Sequence, residues 1–472
     1  MQDSREILSD ICDQISLPLD GLDDLTLTGQ DPVLPSSFRI GTIAQTAIAL
    51  SALAAGEVWH QRREKRGEKR GGKRQRISVD MRHAATEFRS DRYLRINDGP
   101  PPELWDKIAG TYQTGDGRWV RLHTNFPHHR DGIMALLGVP HDRDAVAAAL
   151  QQWTGLDFED AVNANGIVGS MMRSPEEWNL HPQAKALDQQ PLIGVERIGD
   201  APARALTAGA RPLSGVKVLD LTRIIAGPVC GRTLAAHGAD VMRVTASHLP
   251  FVAALVTDAG RGKLSTYLDL DTDEGRDGLR KLISEADVFV QGYRPGGLAK
   301  WGFSPDEVAA IRPGIVYVSL SAYGHEGPWA MRRGYDSLVQ TASGINHAEA
   351  AAANEEGPKP LPCQALDHAS GFFMAAAAMA ALARRAREGG SWHIRVALAR
   401  TGRWAQSLGQ IEGGFDVADP DLDDIGDLME EYSSGFGKLQ AVRHTAQMSE
   451  TPPRWERPSM PLGSHPPIWP TS

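Results

Sequence analysis

Hydrophobic positions in this 472-residue chain follow two different periods. Between residues 216 and 320, short apolar runs recur: VKVLDL (216–221), VMRV (241–244), STYLDL (265–270), DVFVQ (287–291) and IVYVSL (315–320). Runs of this length, bounded by Gly, Pro or Asp, read as buried strands. The first interstrand helix opens at Gly227-Pro228, where proline is tolerated because a first-turn N–H has no helical partner, and closes at His237-Gly238. Further helical stretches separate the last three strands. This alternation predicts parallel βαβ units, hence an α/β fold built on a doubly wound sheet with helices on both faces. Ligands of such sheets bind at the carboxyl ends of the strands. No GxGxxG follows the first strand, so a dinucleotide site is unsupported.

The second period is helical and occurs twice. SFRIGTIAQTAIALSALAAGEVWHQRR (37–63) is followed by RISVDMRHAATEF (76–88); DHASGFFMAAAAMAALARRAREGG (367–390) is followed by HIRVALARTGRW (393–404). Each has a glycine, an Ala-rich helix with a basic end and a short alternating strand. Aligning Gly41 with Gly371 sets Ser37 against Asp367. The apolar runs from Ile40 to Gly56 and from Gly371 to Ala383 are shorter than the roughly 18–20 residues that span a bilayer, so buried helices are expected. The repeat reads as a fusion of two partial copies of one unit.

Between the copies, residues 97–205 have the pattern of a small α/β domain. GTYQTGDGRWVRLHTN predicts a hairpin turning at Gly115-Asp116-Gly117. Helical patterns follow near Asp142–Gln152 and Ser174–Trp178, and residues 198–214 read as a linker. Charge is unevenly spread over the net −9: residues 61–76 hold nine basic and two acidic residues and read as a solvated loop, whereas residues 412–431 hold nine acidic residues and no basic one. The last forty residues look extended. An acidic chain argues against general nucleic-acid or anionic-membrane binding. Three distant cysteines (Cys12, Cys230, Cys363) exclude a disulfide framework and a Cys-based zinc site. The acidic opening MQDSREILSD is unlike a signal peptide, so a cytoplasmic protein is expected.

Several linked motifs carry a resemblance. PLSGVKVLDLTRIIAGPVCGRTLAAHGADVMRV (212–244), ADVFVQGYRPGGLAKWGF (286–303), YVSLSAYGHEGPWAMRRGYDSLVQTASGI (317–345) and DHASG (367–371) resemble, in order and spacing, the family III (CaiB/BaiF) CoA-transferases. YQTGDGRWVRL and SPEEWNLHPQAKAL are similar to that family's small domain. The order is unusual, because the small domain here precedes the large one. The resemblance implies a Rossmann-like large domain at 211–410 and a small domain at 97–205. An acidic N-terminal segment with a partial large-domain helical repeat (1–96) and an acidic, Pro-rich C-terminal segment (411–472) flank them.

The family moves CoA from an acyl-CoA to a carboxylic acid through an aspartyl-CoA thioester, which splits one exchange into easier steps. Asp367, just before a helix, matches the nucleophile; on its own it would read as an N-cap. The resemblance places CoA against Ile225, Ala226, Leu268, Gly292, Tyr293, Arg294, Lys300, Arg333, Gly334 and Tyr335, with the three cations as phosphate partners and Tyr293 stacking on adenine. It implies no tightly bound cofactor and no metal, acyl-CoA and a small carboxylic acid as substrates, and a homodimer of interlocked chains. The chain departs from the family pattern at Gln291-Gly292-Tyr293, at Asp271, at Thr245 and at ASHLPFV (246–252). Two alternatives accompany the transferase reading. One is the family's α-methylacyl-CoA racemase branch, whose histidine is replaced where this chain has Tyr335-Asp336, leaving His325 and His368 nearby in sequence. The other is a non-catalytic CoA-binding or partner subunit.

Overall fold

A computed structural model describes residues 4–65, 73–206 and 208–470. Its centre is a seven-stranded sheet made of β1 (Gly194–Gly199), β2 (Lys217–Leu221), β3 (Asp240–Thr245), β4 (Lys263–Tyr267), β5 (Val288–Gln291), β6 (Val316–Ser321) and β7 (Ser391–Ala397). The spatial order is β4-β3-β2-β5-β6-β7-β1, parallel throughout except for β1, which pairs antiparallel with β7. Burial on both faces explains the continuous apolar runs: Val218, Leu219, Val288, Phe289, Val290, Val316 and Val318 are fully covered. From β2 the chain builds outward through β3 and β4, then returns to place β5 on the other side of β2. The order reverses there, and a crevice opens beyond the carboxyl ends of β2 and β5.

Five predicted strands form, the STYLDL one shifted back to Lys263–Tyr267. Two expectations change. The strand Gly194–Gly199, assigned by sequence to the small domain, joins the large sheet, because β7 offers an edge that β1 covers. The acidic and Pro-rich C-terminal segment, whose last forty residues read as extended, holds regular structure. It forms a hairpin, Met429–Ser434 with Gly437–Val442, and then runs along the large domain. There His465 N–H donates to Ser265 at 2.8 Å and the Trp469 indole donates to the Leu282 carbonyl at 3.1 Å.

The two repeat helices, Ile40–Lys65 and Ala365–Glu388, pack against each other. Both are long and apolar enough to cross a membrane, yet each is covered along nearly its whole apolar length. Alanine explains the fit, since small side chains on facing helices let the axes approach. The strand after the first helix, Ile77–Asp80, sits in a separate three-stranded sheet with Leu25–Thr28 and Gln447–Met448. The first copy is tied in by a buried polar cluster. Asp258 accepts from Ser90 Oγ at 2.7 Å, Arg232 at 2.5 Å and Arg261 at 2.7 Å, while Glu87 accepts from the Thr445 N–H at 2.9 Å. Burial alone would raise the Asp258 carboxyl, but the two guanidiniums hold it at about 2.

The predicted hairpin forms as Gly110–Gln113 and Trp119–Leu122, with Gly117 at φ +76° in its turn. A third strand, Gly169–Met171, and the helices Pro127–Leu137, Arg143–Leu150 and Gly155–Ala164 complete the small domain around Ile108, Val120, Leu122 and Phe158. The centre of the basic stretch at 61–76 lies outside the described residues. Its flanks are paired: Arg63 with Glu450 at 2.8 Å, and Arg74 with Glu57 at 2.7 Å.

Candidate active site

Asp367 sits where the two domains meet. The helix carrying it begins at Ala365, so Asp367 lies inside the first turn rather than before the helix as the sequence suggested. The reason is Asp336, which opens the helix Asp336–Ala342 and supplies the cap from outside. Its Oδ2 accepts the Asp367 N–H at 2.9 Å, and the Leu366 N–H also points at it. Gln340 donates to the other carboxylate oxygen.

A glycine sets the position of the Asp367 side chain. Gly371 stands one turn further along the helix, and a Cβ there would lie 2.5 Å from the Ala226 carbonyl oxygen and 2.7 Å from Val229 Cβ. Only the missing side chain allows the helix Ala365–Glu388 to lie so close to the helix Ala226–Ala236. That approach brings the Ala226 N–H, first in its helix, to the Asp367 carboxylate, where it donates a hydrogen bond. Asp367 is 6% exposed. Burial pushes its carboxyl well above the usual carboxylate range, and the neighbouring Asp336 and Asp91 charges push the same way. Burial likewise raises Asp336, to about 6.

Two cavities meet at Asp367. The larger, of about 420 Å³, occupies the crevice at β2 and β5. It is lined by Ile225, Ala226, Gly292, Tyr293, Arg294, Lys300, Arg333, Gly334 and Tyr335, nine of the ten residues placed at CoA by resemblance. Leu268 does not line it. Leu268 follows β4 at the sheet edge and packs over Gly278 of the helix Asp273–Ile283, because an apolar side chain there is covered by that helix. Five cations (Arg223, Arg294, Lys300, Arg332, Arg333) line the larger cavity, against one carboxylate, Asp367. Lys300 lies 3.7 Å from the centre of the Trp301 ring, and Arg333 donates to the Gly166 carbonyl of the small domain. Arg332 is committed to the buried Glu159 at 3.3 Å.

The small domain closes this crevice from the same chain, with Phe126, His128 and His129 on the wall. Burial and the neighbouring His128 ring hold the His129 imidazole down to about 3, so it is neutral near pH 7. Tyr335 links the parts: its ring stacks on His123 at 4.0 Å and its hydroxyl meets His129 Nε2 at 3.3 Å.

The smaller cavity, of about 70 Å³, shares Ile224, Ile225, Tyr335 and Asp367 with the larger. Phe88, Leu104, Trp105, Val252 and Leu255 give it apolar walls, and Arg89, Asp91, Arg92, His123 and Asp336 add polar groups. Several of these come from the helices Met81–Glu87 and Ser90–Tyr93 and the turn between them, which belong to the first copy.

Arg223, His123 and Arg92 escaped the sequence reading, and Asp336 entered it only in the racemase alternative. A signal existed for His123: in WVRLH the polar Arg121 and His123 alternate with the core residues Val120 and Leu122, so one strand face turns away from the small-domain core. Neither His325 nor His368 lines a cavity at Asp367. His368 stacks on Phe88 at 5.2 Å. Asp271 is exposed, grouped with His248 and Asp269 within 4.8 Å at the far edge of the sheet.

Residues 213–413 match the model of CoA-transferase family III. The chain is 28% identical over 421 residues to an acyl-CoA transferase of Gibberella moniliformis, covering 80% of this chain and 72% of that one. It is 34% identical over 207 residues to a succinate–glutarate CoA-transferase of Agrobacterium fabrum, covering 40% of this chain and about half (51%) of the relative. Among solved structures, a CaiB/BaiF family protein from Brucella suis is 29% identical, with 49% of this chain and 65% of that chain aligned at a TM-score of 0.37.

Proposed function

We propose that this protein moves CoA from an acyl-CoA to a carboxylic acid, with Asp367 as the nucleophile. The observation that carries the reading is the place of Asp367 in the walls of two cavities. One, of about 420 Å³, is lined by five cations that suit phosphates; the other is small, with largely apolar walls. The names of the two relatives support the same activity.

Each step balances. The Asp367 carboxylate attacks the thioester carbonyl, the C–S bond breaks, and CoA leaves as thiolate from a mixed anhydride. The thiolate then attacks the Asp367 acyl carbon and expels the donor acid as carboxylate, leaving an aspartyl-CoA thioester. The acceptor carboxylate attacks that thioester, and the released thiolate attacks the acceptor's acyl carbon. This forms the new acyl-CoA and frees the Asp367 carboxylate. The Ala226 N–H, at a helix start, stabilises charge on the Asp367 oxygens during each attack. Burial raises the carboxylate's basicity and so its nucleophilicity. Arg223, Arg294, Lys300 and Arg333 hold the CoA phosphates by charge-assisted hydrogen bonds.

Incubation with acyl-CoA and then hydroxylamine, followed by peptide mass spectrometry, is expected to give a hydroxamate on Asp367. Asp367→Ala is expected to abolish exchange, and retained exchange in that variant would end the assignment. Deuterium uptake at the α-carbon without an acid acceptor would point to racemisation instead. The reading includes a homodimer, which light scattering at micromolar concentration tests; a monomer mass would remove it.

A further inference from the structure

A histidine of the small domain shares a cavity wall with Asp367. We infer that His123 is a second catalytic residue, its ring N–H donating to the acyl carbonyl oxygen as Asp367 attacks. The inference rests on the transferase reading above and adds a residue to the same site.

Position comes first. His123 follows the strand Trp119–Leu122, on the face that carries Arg121 and turns away from the small-domain core. It lines the smaller cavity together with Asp336, Tyr335 and Asp367 of the large domain. Two rings fix its plane. It stacks on Tyr335 with centroids 4.0 Å apart and 12° between the planes, and it meets Trp105 edge-on at 5.7 Å and 72°.

Packing alone does not account for a histidine there. The side chain is buried, with the residue 5% exposed. Among the described residues no other group hydrogen-bonds its ring, and Nδ1 is enclosed without a partner. A buried polar group left unpaired costs stability, so a phenyl ring would serve the two stacking contacts better. The nitrogens gain a use when a ligand fills the cavity. Because Nδ1 is the enclosed nitrogen, Nε2 is the one open to the cavity. An orphaned acceptor is tolerated better than an orphaned N–H, which assigns the proton to Nε2. Burial and the nearby Arg121 charge hold the imidazole down to about 3, so the ring is neutral near pH 7 and donates one hydrogen bond.

The reaction needs such a donor. The Ala226 N–H serves the Asp367 oxygens themselves. The carbonyl oxygen of the acyl group under attack gains charge separately and requires its own partner. His123 supplies it without giving up its proton. Asn125, another amide of this cavity, already donates to the Leu104 carbonyl at 2.8 Å.

The test uses the full chain, acetyl-CoA and butyryl-CoA as donors and propionate as acceptor. His123→Phe keeps the stacked ring and removes the donor. It is expected to lower kcat about a hundredfold, to leave KM for acyl-CoA within about twofold and to melt no lower than wild type. His123→Gln, which restores an N–H, is expected to recover part of the lost kcat. Wild-type kcat in His123→Phe overturns the inference, as does a loss of activity matched by a lower Tm. The same loss in Gln364→Met with none in His123→Phe moves the donor to Gln364 and overturns it too. Deuterium uptake at the acyl α-carbon that disappears in His123→Phe would make the histidine a base instead. Hydroxamate formation on Asp367 is read in parallel. Its presence with unchanged kcat in His123→Phe rejects this inference alone; its absence from the wild-type chain rejects the nucleophile reading beneath it.

Discussion

Gly371 lies against Ala226 so closely that a methyl group on its Cα would sit 2.5 Å from the Ala226 carbonyl oxygen. This contact, one turn from Asp367, sets the distance between the Asp367 helix and the helix that supplies its N–H donor. Gly371→Ala meets backbone and a β-branched side chain rather than a flexible tip, so the two helices must separate. Overpacking of this kind costs about 1–3 kcal/mol, and a displaced nucleophile loses roughly a hundredfold in rate. A lower Tm with kcat reduced at least that far is expected from thermal melts and steady-state exchange assays. An unchanged kcat would separate the glycine from catalysis.

Asp336 gives a prediction with a sign. Its folded pKa of about 6 stands above the ordinary 3.8 because the buried site disfavours charge. Between those values the folded chain holds the proton that the unfolded chain has released, so this group's contribution to stability falls as pH rises through that window. Asp336→Asn keeps an acceptor for the Asp367 N–H and removes the charge. The variant is expected to melt higher than wild type at pH 7, with the gap closing towards pH 4. Removing the neighbouring charge also lowers the Asp367 pKa, so the acidic limb of kcat/KM for acyl-CoA moves to lower pH. Melting curves and a pH–rate profile check both.

The sheet and the grouping of residues around the larger cavity were legible in the sequence because their signals are local. Apolar runs mark strands buried on both faces, and residues such as Gly292 to Lys300 follow one strand directly. Asp336 was not legible as a cap, because its partner N–H lies 31 residues away and the contact exists only after two helices dock. Arg92 and His123 were hidden for the same reason, lying in segments that precede the nucleophile by more than two hundred residues. Leu268 was the opposite case. The motif carried it to the crevice, while its own apolar side chain sought the nearest helix. The repeat, too, was visible only as two similar stretches; that their helices pack together, and that the first copy walls the smaller cavity, are facts of the fold.

The proposed phosphate contacts carry a salt-dependent affinity. Arg294 and Lys300 are exposed on the crevice wall, and Arg333 reaches across to the small domain. Alanine at any of the three is expected to raise KM for acyl-CoA about three- to tenfold with little change in kcat, since each acts on binding rather than on the reacting carbonyl. The increase should shrink at high ionic strength, where the wild-type contacts are themselves screened. Leu268→Ala, made as a comparison, should leave KM within about twofold because that side chain faces away from the cavity.

Ser37 holds in the first copy the place that Asp367 holds in the second, and its surroundings explain why no nucleophile is kept there. It is 2% exposed. Its N–H donates to Glu349 Oε2 at 3.0 Å, its hydroxyl donates to the same oxygen, and Gln410 donates to the hydroxyl at 2.6 Å. Burial already raises the Glu349 carboxyl. Ser37→Asp would place a second carboxylate against it with no added donor, a change that costs several kcal/mol, about 3–5 by analogy with other unpaired buried charges. Ser37 also lines neither cavity at Asp367, so an aspartate there would meet no thioester. The variant is therefore expected to fold less stably, to gain no second exchange site and to show no hydroxamate at residue 37 after acyl-CoA and hydroxylamine. A doubled yield of trapped label per chain would show instead that the first copy still has a working site.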